Sequence, residues 1–316
     1  MKKIYIFLFS CFLFSSIKSQ NTQIFSEDMN EANKLIEAYF SPLAESYGTG
    51  LNSGWYNTAK PHKLFGFDLT FNLNTVIIPN SGENFEIGNN FNNIFTSSEP
   101  EAATIFGSSS STNITYFPSI SGESSVDFEM PGGLKTPALP VPVIQAGIGL
   151  IKKTSLDFRY MPMLNIGDDI NVNLYGFGLK HDLLQWIPAI GNAIPMSLSI
   201  QAGYSALETE LRFANHDVSL KTQATTINLV ASKKILILTG YAGVGFNSTK
   251  TNFNASTNFN IDNISFSESL DIDFESNNDF RANIGLRVNL AVITMHADYT
   301  FSKYPTATLG LGVSLR

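Results

Sequence analysis

The stretch Phe65-Gly66-Phe67-Asp68-Leu69-Thr70-Phe71-Asn72-Leu73-Asn74 puts an apolar side chain or glycine-flanked phenylalanine at every odd position and a small or polar residue at every even one. Successive side chains of a strand point to opposite faces, so this segment has one apolar and one polar face. Strands of soluble sandwiches run to about 5 to 6 residues, whereas a strand that crosses a bilayer needs about 9 to 11. The same strict alternation recurs at 196–205, 280–289, 293–302 and 307–316. Weaker copies lie at 144–150, 156–161, 170–179, 220–232, 236–247 and 251–261, with a short one at 270–274. The pattern predicts an all-β fold, an antiparallel transmembrane β-barrel of about 12 strands within a range of about 10 to 14. Length agrees, because setting aside 1–63 and 79–140 leaves about 190 residues, enough for about 12 strands and their connections. The polar faces carry Gly, Asn, Thr, Ser, Asp and Arg, short side chains for the most part, as a narrow lumen requires.

With 43% hydrophobic and only 15% charged residues, the chain is too apolar to stay disordered and lean in charge for a soluble enzyme. Lys2 and Lys3, the apolar run 4–14 and the small polar stretch 15–20 have the layout of a cleaved signal peptide, read here as residues 1–19. Cleavage removes the one cysteine, Cys11, and with it any disulfide framework or Cys-ligated metal. It also removes three lysines, taking the formal charge from -7 to about -10, which argues against nucleic acid as a partner. Beyond the signal, no apolar run is long enough for a membrane helix. Localisation in the bacterial outer membrane follows, with outer-membrane lipid and the barrel assembly machinery as partners and a monomer as the expected state.

Residues 20–63 form an N-terminal segment ahead of the barrel, which occupies 64–316. Met29, Ala32, Leu35, Ile36, Tyr39 and Phe40 share one side of a short amphipathic helix that Ser26 caps and Pro42 ends. The segment either plugs the lumen, lies beneath it, or packs on the rim. Residues 79–140 exceed an ordinary connection. They make either a long outer loop or a concealed hairpin around 113–117 and 125–129. At 181–194, Leu183, Leu184, Trp186 and Ile187 suit a short interfacial helix.

No catalytic residue is assigned, and no metal site or cofactor. His62, His181, His216 and His296 lack ligand spacing. The strongest catalytic candidate, His296 with Asp298 on one face and Ser302 further along it, yields to a lumenal polar network. That network comprises Asp68, Asp157, Arg159, Arg281, Arg287, His296 and Asp298, with Asp298 expected to pair with Arg281 or Arg287. Turns near 303–305 and 152–153 set Gly310 opposite Asp298, Gly312 opposite His296, Gly149 opposite Asp157 and Gly147 opposite Arg159, so that large side chains lie over glycines.

Four segments resemble an uncharacterised family of exported Bacteroidota proteins regarded as outer-membrane β-barrels: 50–63 (GLNSGWYNTAKPHK), 139–142 (LPVP), 174–181 (LYGFGLKH) and 309–316 (LGLGVSLR). An N-terminal segment followed by a barrel is also distantly similar to the long-chain fatty acid transporter family, whose N-terminus plugs the lumen. The reading that follows from the barrel is a passive channel or transporter for a small solute, a hydrophobic one among the candidates, and no enzyme. The alternatives are a non-conducting barrel that partners a secretion or surface-attachment complex, and a barrel-borne hydrolase.

Overall fold

A computed structural model describes residues 22–91, 94–118, 124–166, 170–187, 195–213, 216–261 and 264–315. The stretch expected as a signal peptide, residues 1–19, lies outside these residues. The chain divides into two compact units, one of residues 45–77, 138–255 and 273–316, the other of residues up to 44, 78–137 and 256–272.

The elements in order are α1 (Thr22–Asn52), β1 (Phe67–Ile77), β2 (Asn84–Glu86), β3 (Phe95–Thr96), β4 (Glu101–Ala103), β5 (Thr112–Tyr116), β6 (Val126–Met130), β7 (Ala138–Leu150), β8 (Thr154–Ile166), β9 (Ile170–Asp182), β10 (Ser197–Phe213), β11 (His216–Ile235), β12 (Leu238–Ile261), β13 (Ile264–Leu290), β14 (Ile293–Phe301) and β15 (Thr306–Leu315). β1 and β7 to β15 close into a barrel of ten strands, β1 sitting between β7 and β15. Ten, not twelve, is therefore the count. Two pairs of expected strands are single long ones: 236–247 and 251–261 fall in β12, and 270–274 and 280–289 fall in β13.

The reason is physical. Along β12 the odd positions from Thr239 to Ala255 stay buried throughout, so the strand never breaks. What changes is the chemistry of each face: outward Val244 and Phe246 give way to Ser248, Lys250 and Asn252, while inward Phe253 and Ala255 become the apolar set. A strand that leaves hydrocarbon for water inverts its alternation, and the inversion reads as a gap. In β13 the buried set itself changes parity, from Ile272 and Phe274 to Arg281, Asn283, Gly285 and Arg287.

The seam pairs as the inward faces of the first and last strands require, with Asp68 opposite Ser314, Thr70 opposite Gly312 and Asn72 opposite Gly310. Two other registers differ by two residues from expectation. His296 faces Gly310 and Asp298 faces Thr308, while Asp157 faces Gly147 and Arg159 faces Gln145. Both turns are centred one residue earlier than the sequence suggested: Leu150 pairs directly with Thr154 around Ile151, Lys152 and Lys153, whose two lysines take φ of 53° and 47°, and Thr300 pairs with Thr306. Leu236-Ile237 and Ala291-Val292 make similarly short turns at this same end, where β1 begins and β15 finishes. At the opposite, loop end, residues 78–137 join β1 to β7.

Outside, Leu69, Phe71, Phe177, Leu229, Phe246, Ile284, Leu286, Leu309 and Leu311 all stand exposed around the wall. A continuous apolar belt of this kind far exceeds the patches that water-soluble monomers tolerate, and lipid is the solvent that suits it. Leu286, 61% exposed in the run Ile284, Leu286, Val288, Leu290, sits well inside the belt. Leu286→Arg is expected to cost about 2 to 4 kcal/mol, as for a cation near the bilayer midplane. Gln223→Arg, on the polar outer stretch of β11, should change stability by less than about 0.5 kcal/mol. Reversible urea titration in lipid vesicles reads both; equal costs would contradict a lipid-facing belt.

α1 runs ten residues past the expected stop at Pro42, which lies inside it. Proline removes one ladder bond from the turn before it but leaves the following turns intact. The continuation is held because Leu51 packs with Val141, Val143, Leu174 and Leu207, and Tyr47 rests against the same cluster.

The other unit has its own core, and the concealed-hairpin reading holds among the described residues of 78–137: β5 pairs with β6, Asn113 opposite Glu129. The Phe95 ring meets Phe91, Tyr116 and Phe128. Tyr39 donates to the Gly132 carbonyl (3.1 Å) while its own carbonyl accepts from Ile105 (3.1 Å). Burial pushes the Tyr39 phenol up to about 12. At 181–194, the expected helix is a 3-10 turn, Leu184–Trp186, with Trp186 62% exposed; 188–194 lie outside the described residues.

Candidate functional site

Residues 45–63 run down the lumen, from the loop end to the turn end, and the wall is built around them. Glu45 marks the upper end through its ion pair with Lys303 in the β14–β15 connection (2.6 Å). Beside them, burial and the Glu45 carboxylate hold the Tyr304 phenol far above its ordinary range.

Every helix ends with carbonyls that have no partner within it. Here the lumenal arginines supply them. Arg159 donates to the carbonyls of Leu51 (2.6 Å) and Ser53 (2.8 Å), Arg281 donates to that of Asn52, and Asn74 donates to that of Gly50 (2.9 Å). Two guanidinium groups at a helix C-terminus also match the negative end of its dipole. The chain then leaves the helix at Gly54, whose φ of 71° is the left-handed conformation glycine enters freely, and continues down the lumen, with Asn72 donating to the Gly54 carbonyl (3.0 Å).

Below the turn, Trp55 lies flat under the Arg159 guanidinium, 3.6 Å from the ring centre, against the wall at Gly178 and Gly203. A Cβ at either glycine would come within 2.7 Å or 2.5 Å of the indole, so both positions are shaped to it. Tyr56 lies over Gly243 and donates to Asn283 (2.7 Å). Asn57 accepts from Arg287 (2.6 Å) and meets His296 Nδ1 at 3.5 Å. Ala59 is pinned at both backbone atoms, its N–H to Ser232 Oγ (2.9 Å) and its carbonyl by Ser199. At the bottom, His62 donates its N–H to Ser155 (2.9 Å) and pairs through Nε2 with Asp68 (2.8 Å) before the chain turns into β1.

All seven residues of the expected lumenal network point inward and are buried, from Arg159 and Arg287 at 1% exposure to Asp68 and Asp298 at 8%. Their partners differ from expectation. Asp298 accepts from the Tyr241 hydroxyl (2.8 Å), while Arg281 and Arg287 turn to the N-terminal segment. The reason is the filled lumen: the N-terminal segment offers acceptors to both guanidinium groups, the Asn52 carbonyl to Arg281 and the Asn57 side-chain oxygen to Arg287. Asp157 accepts from Gln145 (3.4 Å), which also receives Arg159 Nε (3.0 Å). The possible triad is not brought together. His296 meets Asn57, Asp298 meets Tyr241, and Ser302, about 20 Å further along the strand from His296, donates to the Tyr304 carbonyl (2.7 Å). No group of three metal-ligating side chains occurs among the described residues.

Sequence reasoning missed the receiving side of this site: the helix-end carbonyls of 50–53, and Ser199, Ser232 and Tyr241 on the wall. The signal for the plug lay in the stretch Gly50 to Lys63, which follows neither a helical nor a strand period and carries Trp55 and Tyr56 between glycines and asparagines.

A family model described as a family of unknown function, DUF6588, matches residues 1–315. The chain belongs to that family. Among curated proteins, none matches this DUF6588 member. Several solved structures are similar to it at low identity. The outer membrane protease OmpT of Escherichia coli matches at 8% identity and a TM-score of 0.35, over 79% of this chain and 97% of that one. The translocator domain of the autotransporter NalP of Neisseria meningitidis matches at 8% and 0.28, over 90% and 97%. Ail, the attachment invasion locus protein of Yersinia pestis, matches at 10% and 0.21, over 80% and 98%. Kinship with Bacteroidota proteins or fatty acid transporters is not among these findings.

Proposed function

We propose that this protein is an outer-membrane barrel sealed by its own N-terminal segment, a non-conducting anchor for the folded insertion at 78–137. One observation carries the reading. In a water-filled lumen the inward side chains touch solvent, yet Ser199, Gln201, Thr226, Thr300 and Thr308 are 0% exposed. A polar pocket beside Trp55 and Asp157 has room on the order of one water molecule. The arginines that line an open pore would be hydrated; these are bonded to the helix end, which supports a permanent seal over the passive channel. Lipid covers the outer belt, and the barrel stands as a monomer.

Conductance in planar bilayers tests this. The full chain is expected to give no steps above the bare membrane, while a chain lacking residues 22–63 that still inserts should conduct. Steady conductance from the full chain would return the channel reading to first place.

A further inference from the structure

The direction of the plug has a topological consequence. β1 starts at the turn end and rises to the loop end, and residues 45–63 run antiparallel to it through the lumen, Glu45 at the loop end and His62 at the turn end. The span is sufficient: eight helical residues at about 1.5 Å each, followed by eleven residues reaching at most about 3.3 to 3.6 Å each, exceed a hydrocarbon layer of about 30 Å. The chain upstream of Glu45 therefore emerges at the loop end, away from β15's terminus. Short turns face the periplasm and long connections face outward in barrels of this type.

We infer that the protein carries its N-terminal segment through the barrel to the cell surface, so that residues 22–44 are displayed outside while the end of β15 stays in the periplasm. This rests on the outer-membrane orientation proposed above. The arrangement can form without threading a free end. Lys63 leads directly into β1, and β1 is the seam strand, paired to β15 on one side and β7 on the other. A hairpin of plug and β1 can thus be enclosed when the seam closes. The contacts that then hold it, Arg159 and Arg281 on the helix end, Arg287 on Asn57 and Ser232 on Ala59, come from three different strands, β8, β13 and β11. Such a segment is fixed only once the whole wall is complete.

The test uses full-length chains with one epitope each: between Asn21 and Thr22, between Ser109 and Ser110 in the insertion, or after Arg316. Heat-modifiable migration selects the folded proteins. On intact cells, antibody should bind the first two equally before and after permeabilisation and the third only after it. Protection of the first epitope with exposure of the second would overturn the inference and leave the orientation standing. Exposure of the third alone would overturn both. Should the first epitope prevent folding, Lys34→Cys in a Cys11→Ser chain replaces it, since the Lys34 side chain is 52% exposed. A membrane-impermeant maleimide should label residue 34 on intact cells and should fail to label Lys152→Cys; the reverse result overturns the inference.

Discussion

Arg159→Ala is expected to cost about 3 to 5 kcal/mol in reversible unfolding from lipid vesicles, the range for breaking a buried charged interaction by removing one partner. The side chain is 1% exposed and serves four groups at once: the carbonyls of Leu51 and Ser53, the Gln145 amide oxygen and the Trp55 ring. Its loss takes the arginine donor from the Leu51 carbonyl and leaves the Ser53 carbonyl with only the Asn74 amide (3.3 Å) in a lumen that excludes bulk water, and it removes one of the two cations, with Lys180, that act on Asp157. Arg159→Lys should recover only part of the loss, because an ammonium cannot span two carbonyls while stacking on an indole. A cost under about 1 kcal/mol for the alanine variant would mean that the plug is not bound as described.

Deleting Leu309 to Arg316 is expected to abolish assembly altogether. The deletion leaves one edge of Phe67 to Leu73 in β1 and one edge of Ile293 to Ala297 in β14 unpaired, opening the barrel. Each unpaired backbone group in hydrocarbon costs several kcal/mol, so no partial barrel is stable there. Cell fractionation should show the truncated chain absent from the outer membrane and without a heat-modifiable band. A truncated chain that still folds in solution would favour a soluble sandwich.

The barrel was legible because lipid imposes a one-sided rule. Every second residue from Phe67 to Leu73 and from Leu309 to Leu315 must be apolar, and no tertiary detail relaxes that. Strand number was less legible, since β12 and β13 continue beyond the belt, where the rule reverses. Registers erred by two residues at the lysine turn, where Lys152 and Lys153 adopt positive φ that their side chains do not advertise. The inward polar residues were identifiable as a set, yet their partners were not. Which carbonyl receives Arg281 depends on a helix that ends at Asn52, and Pro42 pointed to an earlier stop. Pairing on the wall can be reasoned from alternation; pairing with a segment that has no period cannot.

The claim that residues 53–63 thread the lumen is tested most directly by a disulfide between Thr58→Cys and Ser232→Cys in a Cys11→Ser chain. The two native hydroxyls lie 3.2 Å apart, although 174 positions separate them in sequence. Thr222→Cys with Thr251→Cys, whose hydroxyls are 3.0 Å apart on adjacent strands of the wall, is the control for a folded barrel. Under mild oxidation of the membrane-inserted protein, both pairs should cross-link to near completion and shift gel mobility. Cross-linking of the 222–251 pair without any at 58–232 would contradict the account, for it would describe a barrel whose lumen its N-terminal segment does not fill.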